Sequence, residues 1–169
     1  MKKILVVVDM QNDFLTGALG SADCAATYEP VRQKIAVAKK AGVEVVFTRD
    51  THQENYLTTQ EGKRLPVVHC VKDTFGWQIA EGLYNGEKVF DKPTFGSLEL
   101  AEYLRSGEYG EIEFVGVCTD ICVVSNAVMA KAYCPNATVK VDSACCAGTS
   151  KQNHESAITT MKCCQVEVC

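Results

Sequence analysis

Residues 113–133 read EFVGVCTDICVVSNAVMAKAY, and the pattern changes partway through. An apolar run ends near Val117, and from Ile121 onward the apolar residues follow helical spacing. A strand thus passes into a helix across a short turn that holds Cys118 and Cys122. The same alternation recurs along the chain. The sequence predicts strands over 3–8, 43–48, 88–90, 112–117, 137–141 and 165–168. Helices are predicted over 29–41, 97–105, 121–133 and 151–161, with Ser97 as an N-cap and Gly42 and Gly107 as stops. Alternating strands and helices of this kind predict an α/β fold. The expectation is a single three-layer α/β/α domain over 1–169 with a mostly parallel six-stranded sheet.

Composition narrows the function classes. An apolar fraction of 47% with 22% charged residues fits a globular core. A net charge of -4 gives no reason to expect nucleic acid or an anionic membrane as partner. The start, MKKILVVVDMQ, has the basic flank of a signal peptide, but its apolar run ends at Asp9 without a small-residue cleavage site. A first buried strand is the better reading. Ten cysteines in a core-rich chain do not suit a secreted disulfide scaffold. Cys134, Cys163 and Cys164 sit inside apolar patterns, and the vicinal Cys145 and Cys146 cannot easily bridge each other. The expectation is a reduced, cytoplasmic protein.

Strand ends carry the chemistry. Asp9 closes the first strand, Asp50 follows the second, Lys92 the third, and Cys118 and Cys122 the fourth. In an open parallel sheet these carboxyl ends face the ligand crevice. Two carboxylates, an ammonium and thiols therefore converge from distant parts of the chain. With Thr119 or Asp120 as helix cap, Cys122 would fall in the first turn, where unpaired N–H groups favour a thiolate and could hold an oxyanion. The local pattern leaves open a buried structural cysteine. A zinc pair is disfavoured, because no second Cys/His pair has ribbon spacing. A second cluster, RDTHQENYLTTQEGKRLPVVHC (residues 49–70), occupies most of the long irregular segment 50–74. Asp50 and His52, two apart, face one way in extended chain. His69 follows after Glu54 and Glu61. Such mixed N/O donors suit zinc, iron or manganese, and a polar surface loop with unrelated histidines is the alternative.

These residues resemble the isochorismatase-like cysteine hydrolases, and among them the nicotinamidase-like amidases. VVVDMQNDF is similar to that family's first strand and catalytic aspartate, FDKPTFGS to its lysine segment, and GVCTDICV to its nucleophile motif. The resemblance implies Asp9, Lys92 and Cys122 as catalytic residues, a cis bond between Val117 and Cys118, and an oxyanion hole from the N–H groups of Cys118 and Cys122. It also implies one divalent metal, zinc for preference, on Asp50, His52, His69 and Glu61, with Glu54 as the reserve ligand. Phe14 matches the family's pocket phenylalanine. The ring-stacking tryptophan of W-P-x-H-C is absent from LPVVHC, which leaves Phe95 and Trp77 as substitutes. The implied activity is hydrolysis of nicotinamide to nicotinate and ammonia, a step of NAD salvage, by a homo-oligomer. The alternatives are an amidase for ureido or carbamoyl compounds and a non-catalytic redox or metal-binding module.

Overall fold

In the computed structural model, which describes residues 1–169, one sheet has the strand order β3-β2-β1-β4-β5-β6. The strands are β1 (Lys3–Val8), β2 (Glu44–Asp50), β3 (Lys88–Lys92), β4 (Glu111–Val117), β5 (Thr138–Ala147) and β6 (Glu167–Val168). Every neighbouring pair is parallel. Central β1, KILVVV, shows no polar alternation because both faces of the sheet are covered. Its side chains still divide by parity. Ile4, Val6 and Val8 join one core, and Leu5 and Val7 the other.

Helices close each face. On the first, Leu100 and Leu104 of α5 (Leu98–Ser106), Ala127 and Ala130 of α6 (Val124–Tyr133) and Met161 of α7 (Lys151–Cys163) pack on the even residues of β1. On the second, α3 (Tyr28–Lys40) buries Val31, Ile35 and Ala38, a stripe at helical spacing. Gly42, in the left-handed region at φ 69, follows its C-cap. No helix is long and apolar enough to cross a membrane.

The expected layers and sheet are present, with differences at the element ends. β2 and β3 run on to Asp50 and Lys92, which pair directly as the last rung. These polar residues are thus fixed by the sheet rather than by a loop. β5 continues past Val141 to Ala147, and a register shift takes the pairing from Phe114–Val141 to Gly116–Cys146. Three short helices escape the periodic reading: α1 (Asn12–Leu15), α2 (Ala22–Ala26) and α4 (Gln60–Arg64). At four or five residues each, they are too short to display a period. Caps define two of them. Ser21 Oγ accepts from Cys24 N–H, and Thr59 Oγ1 from Gly62 N–H.

The chain builds β1, β2 and β3 outward, then returns to place β4 on the other side of β1. The order reverses between β1 and β4, and a crevice opens beyond their carboxyl ends. Gly116 permits the close approach of these strands: it has φ 116, and a Cβ there would lie 2.1 Å from the Val8 carbonyl oxygen. Gly116→Ala is therefore expected to cost about 3 kcal/mol or more, at the severe end for single substitutions. Gly42→Ala, with nothing within 4 Å, should lose only the left-handed penalty of about 1–2 kcal/mol. Urea midpoints of the two variants check the ranking.

Candidate active site

Lys92 is the centre of a buried charge cluster at the strand ends. Its side chain is fully buried, a state an ammonium tolerates only among compensating groups. Nζ lies 2.7 Å from Asp9 Oδ2 and 3.4 Å from Asp50 Oδ1, donates to Thr94 O at 3.1 Å, and sits 3.3 Å from Cys122 Sγ. Burial opposes its charge, but the carboxylates of Asp9 and Asp50 raise its pKa and keep it charged.

Asp9 ends β1 in the left-handed region, at φ 48. Asp tolerates this better than most residues. Its N–H bonds Thr48 O at 3.2 Å, and its Oδ1 accepts from Thr48 Oγ1 at 2.6 Å. Oδ2 faces the Lys92 ammonium at 2.7 Å. Burial pushes the Asp9 pKa up, against the opposing charge of Lys92. The Cys122 thiol is raised well above its ordinary value, by burial first and by the Asp9 charge second, with Lys92 opposing. The trio thus sets a thiol group and a carboxyl group beside an ammonium placed to stabilise a thiolate.

The turn that carries Cys122 differs from the expected cap. Cys118 occupies the N-cap position, and no side chain caps the helix. Thr119 and Asp120 are occupied elsewhere. Thr119 Oγ1 lies 2.8 Å from His154 Nδ1, and Asp120 accepts from the backbone and hydroxyl of Thr149 at 2.8 and 2.5 Å. Thr119–Val123 is a wide π turn leading into α6. The Val117–Cys118 peptide is cis. The Cys118 N–H makes no hydrogen bond, which leaves a free donor at a helix start beside the thiol.

A cavity of about 450 Å³ joins this centre to the second cluster. Phe14, Phe95, Cys118, Cys122, Asp50, Glu61 and His69 are among its walls. Trp77 is not, which corrects the expectation that it could line the pocket. Its indole N–H donates to Thr51 Oγ1 at 2.9 Å, and the Arg49 guanidinium stacks on its face at 3.3 Å. Sequence reasoning also missed Cys24, Leu65, Ile121 and Thr149 in the walls.

Ligand atoms of Asp50, His52, Glu61 and His69 all lie within 4.8 Å of one another. His52 Nε2 is 3.0 Å and His69 Nε2 3.4 Å from Asp50 Oδ2, while Glu61 Oε1 is 3.6 and 3.9 Å from the same two nitrogens. Glu54 is exposed and stands outside the group. The His69 Nδ1–H donates to Val67 O at 2.7 Å, which turns Nε2 toward the cluster. Two imidazoles and two carboxylates face one point, and this donor set fits a divalent metal. Burial opposes charge on His69, but Asp50 and the Val67 carbonyl raise its pKa. Burial likewise opposes ionisation of Asp50, but His52, His69 and Lys92 hold its carboxyl well below the usual range. Gln11 places Asp50 without touching its carboxylate: its amide donates to Asp50 O at 2.9 Å and accepts from Asp50 N–H at 2.7 Å.

Over residues 3–169 the sequence matches the isochorismatase domain family, and the chain belongs to it. The nicotinamidase of Saccharomyces cerevisiae is 26% identical over 187 residues, covering 83% of this chain and 86% of that protein. A ureidoacrylate amidohydrolase of Methylorubrum extorquens is 28% identical over 153 residues, covering 72% of this chain and 61% of the relative. The pyrazinamidase of Pyrococcus horikoshii, solved in complex with zinc, superposes with a TM-score of 0.88 at 27% identity, over 100% of this chain and 99% of that one. Within the family the protein is a hydrolase of amide C–N bonds.

The buried charges make Lys92 a sensitive position. Lys92→Met strands two buried carboxylates and is expected to destabilise the fold by about 3–5 kcal/mol at neutral pH. Adding Asp9→Asn should restore part of that loss. Urea denaturation of the single and double variants measures both.

Proposed function

We propose that this chain, acting as one domain, is a cysteine-dependent amidohydrolase for small, flat, neutral carboxamides, with nicotinamide the best-fitting substrate. The observation that carries the reading is that one cavity has as walls both Cys122, which Lys92 and Asp9 back from beneath, and Asp50, Glu61 and His69 of the donor cluster. In this reading Asp9 takes the thiol proton as Cys122 Sγ attacks the amide carbon. Lys92 holds the thiolate in place, and the N–H groups of Cys118 and Cys122 receive the oxyanion. Asp9 then protonates departing ammonia and activates the water that cleaves the thioester. Asp50, His52, Glu61 and His69 would hold a divalent ion, zinc for preference and iron or manganese otherwise; when bound, it supplies a Lewis-acid seat for a substrate lone pair. Phe14 and Phe95 offer walls to a planar ring, worth about 0.5–1.5 kcal/mol each beyond area burial.

The carbamoyl alternative is separable on charge. A ureidoacrylate substrate carries a carboxylate, but no arginine or lysine lines this cavity, and Asp50 and Glu61 do. The walls favour a neutral substrate. All ten cysteines are free, in keeping with a reduced, cytoplasmic enzyme.

Ammonia release from metal-loaded protein should be far faster with nicotinamide than with benzamide, which lacks the ring nitrogen. Equal rates would remove the metal cluster from substrate recognition. Cys122→Ala should abolish turnover with the fold intact by circular dichroism, and Cys118→Ala should keep most of it; the reverse pattern would sink the assignment. His52→Ala should lose stoichiometric metal, and a metal retained after loss of both His52 and His69 would refute this site.

A further inference from the structure

Asn126 stands one turn after Cys122 on α6 and is almost fully buried. Asparagine is a poor helix former, and a buried amide is costly unless bonded. Here three bonds satisfy it. Nδ2 donates to Cys122 O at 2.8 Å and to Phe95 O at 3.1 Å, and Oδ1 accepts from Ser97 N–H at 3.0 Å. Only this orientation of the amide gives each neighbour the right partner, since two neighbours are carbonyls and one is an N–H.

The bonds span two separate parts of the site. Cys122 belongs to the nucleophile turn, while Phe95 and Ser97 belong to the segment that leaves β3 after Lys92. That segment has few other anchors. The backbone of Thr94, Phe95 and Gly96 receives hydrogen bonds only from Lys92 Nζ, at Thr94 O, and from Asn126, at Phe95 O. Gly96 packs so closely that a Cβ would lie 2.8 Å from Met129 Cε on the same helix. Phe95 itself is 42% exposed, so little packing holds its ring over the cavity.

We propose that Asn126 is a positioning residue that fixes the Phe95 wall relative to Cys122 and so sets the width of the cavity above the thiol. It touches no substrate. Its effect is selectivity for a flat ring over both smaller and bulkier groups.

The test reads access to Cys122 directly and uses full-length Asn126→Ala and Asn126→Ser. The serine hydroxyl reaches back to the Cys122 carbonyl but cannot bridge to Phe95 and Ser97, and it guards against a failure of the alanine variant to fold. Labelling of Cys122 by N-ethylmaleimide and by iodoacetamide is followed by mass spectrometry, with fully buried Cys70 as the control for general loosening. The expected result is a rise of about tenfold in the maleimide-to-iodoacetamide rate ratio at Cys122 in both variants, well inside the 10²-fold effects that a 1 Å displacement produces. Cys70 should stay unlabelled. Phe95→Ala should give the same rise, and combining it with Asn126→Ser should add nothing further. An unchanged ratio, parallel labelling of Cys70, or a normal ratio in Asn126→Ser overturns the proposal.

A second arm rests on the amidase reading above: kcat/KM for nicotinamide should fall about tenfold while that for acetamide stays level, since only the ring uses the wall. If the wild-type protein hydrolyses neither amide, that reading fails, and the labelling arm still decides the role of Asn126.

Discussion

A buried ammonium organises this molecule. Lys92 is held between Asp9, Asp50 and Cys122 with no access to water, and each partner comes from a different strand end. A charge in such a place requires all its neighbours at once, because losing one leaves the others uncompensated. The sheet register and the ion cluster therefore support each other. The Asp50–Lys92 rung brings two of the charges together, and the bond from Thr48 to Asp9 joins β2 to the end of β1. Asp50 has a second function, since its other oxygen faces the two histidines. One carboxylate thus electrically connects the reacting centre to the donor cluster.

Topology explains why the site lies where it does. The reversal of strand order between β1 and β4 opens a gap that the crossovers cannot fill. Asp9 and the Cys118–Cys122 turn border it on two sides. The segment between β2 and β3 then folds over it, bringing Glu61 on α4 and His69 to Asp50 and His52. Tyr56 packs against both imidazoles, at 4.6 and 5.0 Å between ring centroids, and its hydroxyl donates to Leu65 O at 2.9 Å. That fully buried ring is the local core of an otherwise irregular segment.

Much of this was legible in the sequence, for identifiable reasons. Strands buried on both faces announce themselves as apolar runs, and the helix stripe of Val31, Ile35 and Ala38 shows its period. The convergence of Asp9, Asp50, Lys92 and Cys122 follows from the parallel sheet alone. Element ends were harder. Arg49, Asp50, Asp91 and Lys92 look like loop residues, yet ladder pairing and the Arg49–Asp91 ion pair hold them in strands. The second half of β5 was hidden by its bulge, since a shifted register breaks the pattern that marks a strand. Trp77 shows a further limit: composition supplies an aromatic residue but not the face it will meet. Gln11 and Asn126 left no signal, because both act through backbone groups that every residue possesses.

Gln11 separates where a residue sits from what it does. It grips Asp50 by the backbone N–H and carbonyl, so the location of position 50 is independent of the side chain carried there. The side chain of Asp50 is thereby left to serve Lys92 with one oxygen and the two histidines with the other. Location and charge balance at position 50 are thus two separate constraints, met by two different sets of contacts.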